Sequence, residues 1–239
     1  MKTVNLSARL QGLVDMVSKG NRICDVGCDH GWVAIYLIQT GIASKVFAMD
    51  VRKGPLERAK EHIHQYQLDT YIEARLSDGL HNLQPEEADA MVCAGMGGPL
   101  MIKILTEGRD KAKAMKELIL QPQSELTMFR RFLREEGYQI VEEDMILEEG
   151  KFYPMMKVIP VGKGSLPARD CENQDLWDAY GELLLKERNP VLKQYLYKGK
   201  EQVEDLLEHL LAQNAGRKRI EELRTELSCL NRAIGFYTR

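Results

Sequence analysis

Two glycines and two carboxylates after an apolar run form the most informative segment of the chain. The segment Asp25-Val26-Gly27-Cys28-Asp29-His30-Gly31 has the spacing Asp-x-Gly-x-x-x-Gly and leads into apolar residues with helical periodicity. This order predicts a strand, a tight turn and a helix, the first crossover of a nucleotide-binding α/β sheet. Glycine allows the sharp turn and lets a ligand approach main-chain amides closely. Because the spacing is not Gly-x-Gly-x-x-Gly, it disfavours a dinucleotide.

Asp29 is the candidate catalytic residue. Its carboxylate stands on the turn where a glycine would form the turn equally well, at the place where cofactor and substrate are expected to meet. It could hold an exocyclic amine and accept its proton while a ring nitrogen gains a methyl group, or it could offset the developing positive charge. The alternative is that Asp29 caps the helix that begins near Gly31. His30 is either a second ligand-binding residue or a hydrogen-bonding spacer.

The next strands also end in residues suited to a ligand, and together they favour S-adenosylmethionine (SAM). Asp50 could accept protons from ribose hydroxyls, and Asp78 could accept one from an adenine amino group, since the carboxyl ends of parallel strands meet at one edge. The predicted cofactor-binding residues are Asp25, Gly27, Cys28, His30, Gly31, Asp50, Val51, Ser77, Asp78, Gly79, Ala94, Gly95 and Met96. The alternatives are a cap or solvated carboxylate at Asp50 and an ordinary Ser-Asp-Gly turn at Asp78.

Strand and helix patterns alternate over the first two thirds of the chain. Strands are predicted at about 22–27, 45–50, 70–74, 89–94, 117–121, 138–147 and 152–161. The last two are joined by a hairpin-length connection, so we expect a mostly parallel, seven-stranded, doubly wound sheet with one antiparallel strand. This is a Rossmann-like α/β sheet of the class I SAM-dependent methyltransferase type, assigned to residues 1–162.

Strand patterns stop after Val161, and residues 163–239 are predicted to form a linker and a helical domain. A Gly/Ser/Pro-rich linker is expected at 162–167, and a turn at 214–216 separates two helices with apolar stripes. The stripes consist of Leu192, Val203, Leu206 and Leu210, and of Ile220, Leu223, Leu227, Leu230 and Ile234. They predict an antiparallel α-helical coiled-coil hairpin. The stripe is primarily a packing seam, with partner binding by the exposed face as the alternative.

Composition limits the remaining classes. The formal charge of −3 over 239 residues gives no overall attraction to nucleic acid, so any such binding must use local patches. No apolar run approaches the ~20 residues of a membrane span, and no secretory signal is expected. The five cysteines are scattered without Cys-x-x-Cys, which supports neither a disulfide frame nor a metal site. We therefore expect a cytoplasmic, metal-free protein, with a monomer favoured.

The segment Gly95-Met96-Gly97-Gly98-Pro99 lies where amino-directed nucleic-acid methyltransferases usually carry Asn/Asp-Pro-Pro-Tyr/Phe. That motif clamps an exocyclic amino group through main-chain carbonyls and stacks an aromatic ring on the base. Neither the amide nor the aromatic is present here. The segment therefore favours a different atom of a base, such as a ring nitrogen.

Taken together, these motifs resemble the bacterial TrmK family of tRNA (adenine(22)-N1)-methyltransferases. The resemblance rests on Leu6-Ser7-Ala8-Arg9-Leu10, Asp25 to His30, Asp78-Gly79-Leu80, Ala94 to Gly98, Leu118-Ile119-Leu120-Gln121-Pro122 and the C-terminal helices. It covers nearly the whole chain. It implies SAM as methyl donor, adenine N1 of a tRNA as acceptor, Asp29 as the catalytic carboxylate, and a coiled coil that helps to grip the tRNA.

A folded RNA would have to present its target base unstacked, and basic side chains would hold its phosphates. The predicted substrate-binding residues are Arg9, Lys53, Gly97, Gly98, Arg130, Arg131, Arg134, Arg217, Lys218 and Arg219. For each charge the alternative is an ordinary solvated side chain. The run 217–219 is favoured because a projecting hairpin could reach RNA far from the pocket.

Two other functions remain open on the sequence alone. The first is a methyltransferase for a small molecule or a protein, for which the helical arm would be unnecessary. The second is a non-catalytic SAM-binding scaffold, which would bind SAM without turnover and would tolerate loss of the Asp29 carboxylate. Salt-sensitive RNA affinity would separate both from an RNA-modifying enzyme.

Overall fold

Two units, Met1–Pro167 and Ala168–Arg239, make up the chain. The computed structural model describes residues 3–162, 164, 172–213 and 216–238. Most of the predicted linker, the predicted turn residues 214 and 215, and Cys171 lie outside the described residues. The four described cysteines are free thiols. No described helix is both long enough and apolar enough to cross a bilayer.

One sheet of seven strands, counted over the described residues, forms the centre of the first unit. The strands are β1 Arg22–Val26, β2 Lys45–Asp50, β3 Ile72–Leu76, β4 Ala90–Met96, β5 Glu117–Pro122, β6 Tyr138–Glu148 and β7 Lys151–Pro160. Their order is β3-β2-β1-β4-β5-β7-β6, and β7 runs antiparallel to the other six strands. The predicted mostly parallel sheet with one antiparallel strand is confirmed.

The third strand lies two residues later than predicted. It covers Ile72–Leu76 rather than 70–74, because its pairing with β2 continues until Leu76 stands opposite Asp50. Ser77 and Asp78 therefore follow the strand directly, level with the carboxyl end of β2.

Six helices cover the two faces of the sheet in the described part of the first unit. They are α1 Ala8–Asp15, α2 Trp32–Gln39, α3 Lys53–Gln65, α4 Gly98–Glu107, α5 Arg109–Ala114 and α6 Leu126–Glu135. Buried residues of α1, α2 and α3 share one apolar cluster, and those of α4, α5 and α6 share a second. Chain order reverses between β1 and β4, so the crevice outside their carboxyl ends is where an open sheet of this kind binds a ligand.

Helix α1 is held at its start from two directions. The Ser7 hydroxyl accepts a hydrogen bond from the Leu10 N–H at 3.4 Å, as expected of an N-cap. The Glu148 carboxylate, at the end of β6, accepts one from the Arg9 N–H at 3.0 Å. The first helix is thereby fixed to the far edge of the sheet, and Arg9 is brought to its carboxyl end.

The second unit is helical in its described part. It contains α7 Gln174–Tyr180, α8 Glu182–Lys186, α9 Pro190–Ala212, α10 Arg217–Ile234 and a short 3₁₀ turn, Gly235–Tyr237. The Tyr237 hydroxyl, beyond the end of α10, donates to the Asn189 carbonyl at the start of α9 at 2.9 Å. The two long helices therefore run antiparallel as a hairpin. Its coiled-coil geometry stays a prediction.

The predicted stripe on α9 is wrong at one position. Leu206 is 39% exposed, whereas Leu207 is buried. The buried positions are Leu192, Leu196, Val203 and Leu207, whose spacings of four, seven and four keep to one helical face. Leu206 lies about 100° from Leu207 around the helix axis, outside that face.

Arg130 was predicted to contact phosphate, and the structure contradicts this. Its side chain is 3% exposed, and its Nε donates to the Glu143 carboxylate at 2.9 Å. Glu143 lies on β6 and is also buried. Arg130 shares the inward face of α6 with Phe129 and Leu133, so its charge serves an internal ion pair. Arg131 is exposed and Arg134 half-buried, and both remain predictions.

We expect Arg130→Met to lower the free energy of unfolding by about 3–5 kcal/mol, because it removes a buried, hydrogen-bonded cation from the buried Glu143 carboxylate. Arg131→Met, the matched change one residue away on the exposed face, should cost less than about 1 kcal/mol. Urea denaturation followed by circular dichroism measures both. Equal midpoints for the two variants would show that the buried pair is not required for stability.

Candidate functional site

A cavity of about 500 Å³ opens at the carboxyl ends of the parallel strands in the first unit. All predicted cofactor-binding residues except Gly31 line it, and so do Asp29 and Arg9. This volume lies in the usual range for small-molecule sites. The arrangement brings together residues from the ends of β1, β2, β3 and β4 that are far apart in the sequence.

The turn after β1 depends on glycine at two places for different reasons. Gly27 has φ +80°, and a Cβ atom on it would collide with the Met96 side chain. Its N–H donates to the Met49 carbonyl at 2.8 Å, which ties the turn to β2. Gly31 has φ +75°, and a Cβ there would lie 3.2 Å from that of Ala59. Gly27 thus leaves room for the Met96 side chain at the cavity, whereas Gly31 serves the packing of α2 on α3.

Asp29 lies at the cavity in a strained backbone conformation. Its φ is +48°, a left-handed value that non-glycine residues rarely adopt. Its N–H donates to the Asp50 carboxylate at 3.3 Å, and its own side chain is 57% exposed. Helix α2 has Gly31 as its N-cap, with no side-chain capping bond. The carboxylate therefore does not cap α2, and it lies 3.6 Å from His30 Nε2.

Asp50 joins two loops while facing the cavity. Besides the bond from Asp29, its carboxylate accepts a hydrogen bond from the Arg52 N–H at 2.8 Å, just before α3. The side chain is 5% exposed. Each carboxylate oxygen can accept more than one hydrogen bond. Its burial excludes the alternative of a solvated carboxylate, and its bonds to the two loops are compatible with a further role toward ligand hydroxyls.

Asp25 has the most unusual electrostatic environment of the site. It is buried, and its Oδ2 has no hydrogen-bond partner among the described residues. Burial, and secondarily the negative charge of Asp50, raises the pKa of its carboxyl from 3.8 to about 7. An unpartnered carboxylate beside a cavity fits a ligand with a cationic or hydrogen-bond-donating group, because such a group would satisfy it.

The thiols around this carboxylate are held in their neutral form. Burial and the Asp25 charge raise the pKa of the Cys28 thiol well above its usual range, and that of Cys93 to about 12. Thiolates are the reactive form of cysteine. Neither side chain is therefore suited to act as a nucleophile, although Cys28 lines the cavity.

The loop after β3 combines a structural serine with an outward carboxylate. The buried Ser77 hydroxyl donates to the Gly79 carbonyl at 2.9 Å and accepts from the Asn82 N–H at 3.1 Å. Asp78 is more exposed, with its carboxylate 3.7 Å from Lys103 Nζ. A Cβ on Gly79 would lie 3.1 Å from Ile104. Ser77 thus shapes the loop, whereas Asp78 lines the cavity and its role toward a ligand stays a prediction.

The segment around the end of β4 also contains residues that line the cavity and residues that serve packing. Ala94, Gly95 and Met96 line the cavity, whereas Gly97 and Gly98 do not. A Cβ on Gly98 would lie 2.6 Å from the Ser124 carbonyl oxygen, so this glycine permits close packing against the loop after β5. A substrate contact by Gly97 or Gly98 stays a prediction.

Several lining residues were not predicted from the sequence. Arg52 and Gln123 follow the ends of β2 and β5, and the strand-end rule applied to every strand would have found both. Trp32 begins α2 and stacks on His62 at 4.1 Å between ring centroids. His62 Nδ1 lies 2.9 Å from the His30 carbonyl, which can only accept, so this nitrogen is the donor. The pair braces the turn that carries Asp29.

Comparison with known proteins identifies the fold family of the first unit. Residues 6–156 match the family model of a methyltransferase domain. The tRNA (adenine(22)-N(1))-methyltransferase of Bacillus subtilis is 34% identical to this chain over 191 residues, which are 80% of this chain and 79% of that protein.

Solved structures extend the similarity over nearly the whole chain. The crystal structure of the B. subtilis m1A22 tRNA methyltransferase TrmK is 29% identical, with a TM-score of 0.85, covering 96% of this chain and 99% of that one. A candidate tRNA (m1A22) methyltransferase of Streptococcus pneumoniae in complex with S-adenosyl-L-methionine is 30% identical, with a TM-score of 0.84, covering 96% and 100%.

We expect the stability of the ligand-free protein to fall between pH 5 and pH 8 through Asp25. Its folded-state pKa is raised, so the folded protein holds a proton that the unfolded chain has lost, and that contribution disappears as the pH rises through about 7. The contribution is on the order of 2–3 kcal/mol over this range. Asp25→Asn should remove it and be the more stable protein at pH 8. Urea denaturation of both proteins at the two pH values measures the difference, and parallel pH profiles would contradict the assignment.

Proposed function

The chain belongs to the family of bacterial tRNA (adenine(22)-N(1))-methyltransferases, and we propose that it transfers the methyl group of SAM to N1 of adenine 22 in tRNA. Two observations support the proposal: the chain belongs to this family, and its cavity contains a buried carboxylate oxygen, Asp25 Oδ2, that has no partner among the described residues.

The side chains of the cavity fit the separate parts of SAM. The unpartnered Asp25 carboxylate would accept hydrogen bonds from the amino group of the methionine part, and Asp50 from the ribose hydroxyls. Asp78 would accept one from the adenine amino group, since it lines the same cavity. When bound, SAM supplies an electrophilic methyl group on a sulfonium sulfur.

Asp29 is placed to act on the acceptor base. The N1 atom of adenine becomes positively charged when it gains a methyl group, and the exocyclic N6 then loses a proton more readily. A carboxylate at hydrogen-bond distance from N6 would orient the base and accept that proton. Asp29 has a half-exposed side chain at the cavity and a backbone fixed by Asp50, which holds the carboxylate in place without neutralising it.

The hairpin of the second unit offers a basic end for RNA phosphates. Helix α10 begins with Arg217, Lys218 and Arg219, and its first turn has no acidic residue. Positive charges at a helix N-terminus oppose the helix dipole, so they give the helix no stability. Arg219 pairs with Glu222 at 3.1 Å, while Arg217 and Lys218 form no ion pair among the described residues. Their charges would be available to phosphates.

Incubation with SAM and tRNA that carries an unmodified adenine 22 should produce 1-methyladenosine, detected by mass spectrometry of the nucleosides. Asp29→Asn should lower kcat by about 10²–10⁴ because it removes the proton acceptor while keeping the side-chain shape. Its affinity for S-adenosylhomocysteine should stay within about tenfold, or ~1.4 kcal/mol.

The control for this experiment is a tRNA with guanine at position 22, which should not be methylated there. Methylation of a small molecule or protein but not of tRNA would replace the proposed substrate. Nucleoside binding with no methyl transfer to any tRNA would favour a non-catalytic role, and wild-type turnover by Asp29→Asn would remove that residue from the chemistry.

Arg217→Ala combined with Lys218→Ala should weaken tRNA binding and reduce the dependence of log Kd on log salt concentration by about one to two, since each lost phosphate contact contributes roughly 0.7–0.9. The matched control is Lys60→Ala with Lys200→Ala. Each of these lysines pairs with a glutamate of its own helix, at 2.9 and 3.7 Å. Filter binding across a salt series measures both variants, and identical slopes would exclude the hairpin end from the RNA interface.

A further inference from the structure

Gln121 is a buried amide that connects three elements at the cavity. It lies at the end of β5 and is 1% exposed. Its Oε1 accepts two hydrogen bonds, from Arg9 NH1 in α1 at 3.0 Å and from the Gly95 N–H at 3.2 Å. Its Nε2 donates to the Pro122 carbonyl at 3.3 Å. Because both donors face the oxygen, the amide can have only one orientation.

The Gly95 N–H reaches Gln121 because β4 is irregular there. The pairing of β4 with β5 shifts register between Ala94 and Met96, and Gly95 has φ +75°. A bulged residue leaves the regular ladder, so its N–H needs another acceptor. Gln121 supplies that acceptor and fixes the segment that lines the cavity beside Asp25.

The Arg9 guanidinium contacts neutral groups, whereas a carboxylate binds only the Arg9 backbone. Its guanidinium carbon lies 5.2 Å from the centroid of the Tyr153 ring, and its backbone N–H is bound by Glu148. It lines the cavity and is half-buried. No ion pair between described residues includes Arg9, so its positive charge has an amide oxygen and an aromatic face as neighbours, neither of which cancels it.

Other arginines of the chain show a different arrangement. Arg22 pairs with Asp89 at 2.8 Å, Arg75 with Glu87 at 2.6 Å, and Arg232 with Asp175 at 2.6 Å. Each is satisfied internally by a carboxylate. A glutamate at position 121 would have done the same for Arg9, whereas the glutamine holds the guanidinium and leaves its charge intact.

We propose that Gln121 is a positioning residue that holds Arg9 at the cavity so that its guanidinium binds an anionic oxygen group of a ligand. This rests on the proposed function, whose ligands offer that chemistry in two places, the carboxylate of the methionine part of SAM and a phosphate of the tRNA. A guanidinium matches both, because its N–H groups form a planar fork that suits paired oxygens.

The test is a double-mutant cycle with Arg9→Met, Gln121→Met and the double variant. S-adenosylhomocysteine and 5′-methylthioadenosine, which lacks the amino acid end, are titrated by calorimetry, and tRNA by filter binding. If the carboxylate is the anion, Arg9→Met should weaken S-adenosylhomocysteine at least tenfold and leave 5′-methylthioadenosine unchanged. If a phosphate is the anion, only tRNA should weaken, with its salt slope reduced by about one.

The cycle separates positioning from a merely structural role. Gln121→Met should weaken the same ligand as Arg9→Met by about three- to tenfold, and the double variant should lose no more than Arg9→Met alone, because the amide acts through the guanidinium. Losses that multiply in the double variant, or a Gln121→Met protein with lower Tm and unchanged affinity for every ligand, would overturn the proposal.

Gln121→Glu provides a second, independent readout. It keeps an acceptor for Arg9 and Gly95 but pairs the guanidinium with a carboxylate, so it should weaken the anionic ligand at least as much as Arg9→Met does. Wild-type affinity in this variant would show that the Arg9 charge is not used.

Failure of the proposed function can be distinguished from failure of this inference. A wild-type protein that forms no 1-methyladenosine but shows the non-additive cycle with S-adenosylhomocysteine would remove the tRNA assignment and keep the role of Gln121.

Discussion

Burying the Asp25 carboxylate at the end of β1 costs free energy that no hydrogen bond to its Oδ2 offsets among the described residues. The cost is visible as a pKa near 7, since the side chain avoids charge where it cannot be solvated. Its register neighbours on β2 and β4 are Ala48 and Val92, whose side chains offer no hydrogen bond. The remainder of the site is arranged around this carboxylate, because the cavity in front of it is the space from which a partner can arrive.

The neighbouring carboxylate has the opposite role. Asp50 is buried to a similar extent, yet backbone N–H groups of two loops satisfy both its oxygens. It therefore links the turn that carries Asp29 to the start of α3, and the left-handed conformation of Asp29 is maintained by that link. One acidic strand end thus organises the backbone while the other remains available, although the two look alike in the sequence.

Much of this architecture can be predicted from the sequence. The strand and helix periodicities predict the sheet, and the rule that the carboxyl ends of parallel strands meet at one edge predicts the cavity, from Asp25 to Met96. The errors occur where a partner distant in sequence decides. The residues next to Arg130 in the sequence do not indicate that it is buried in an ion pair with Glu143. Whether Leu206 or Leu207 is buried depends on the rotation of α9 against α10. In the sequence Gln121 is an ordinary polar residue, and only the fold shows that Arg9 and Gly95 both donate to its side-chain oxygen.

The attachment of α1 has a consequence for biosynthesis. Arg9 is translated before its two anchoring side chains, Gln121 and Glu148, which belong to β5 and β6. A nascent chain that ends before residue 117 can pair the first four strands but has no acceptor for the guanidinium. The wall of the cavity at Arg9 is therefore completed only when the last strands of the sheet have been translated, which delays a competent pocket until the whole first unit exists.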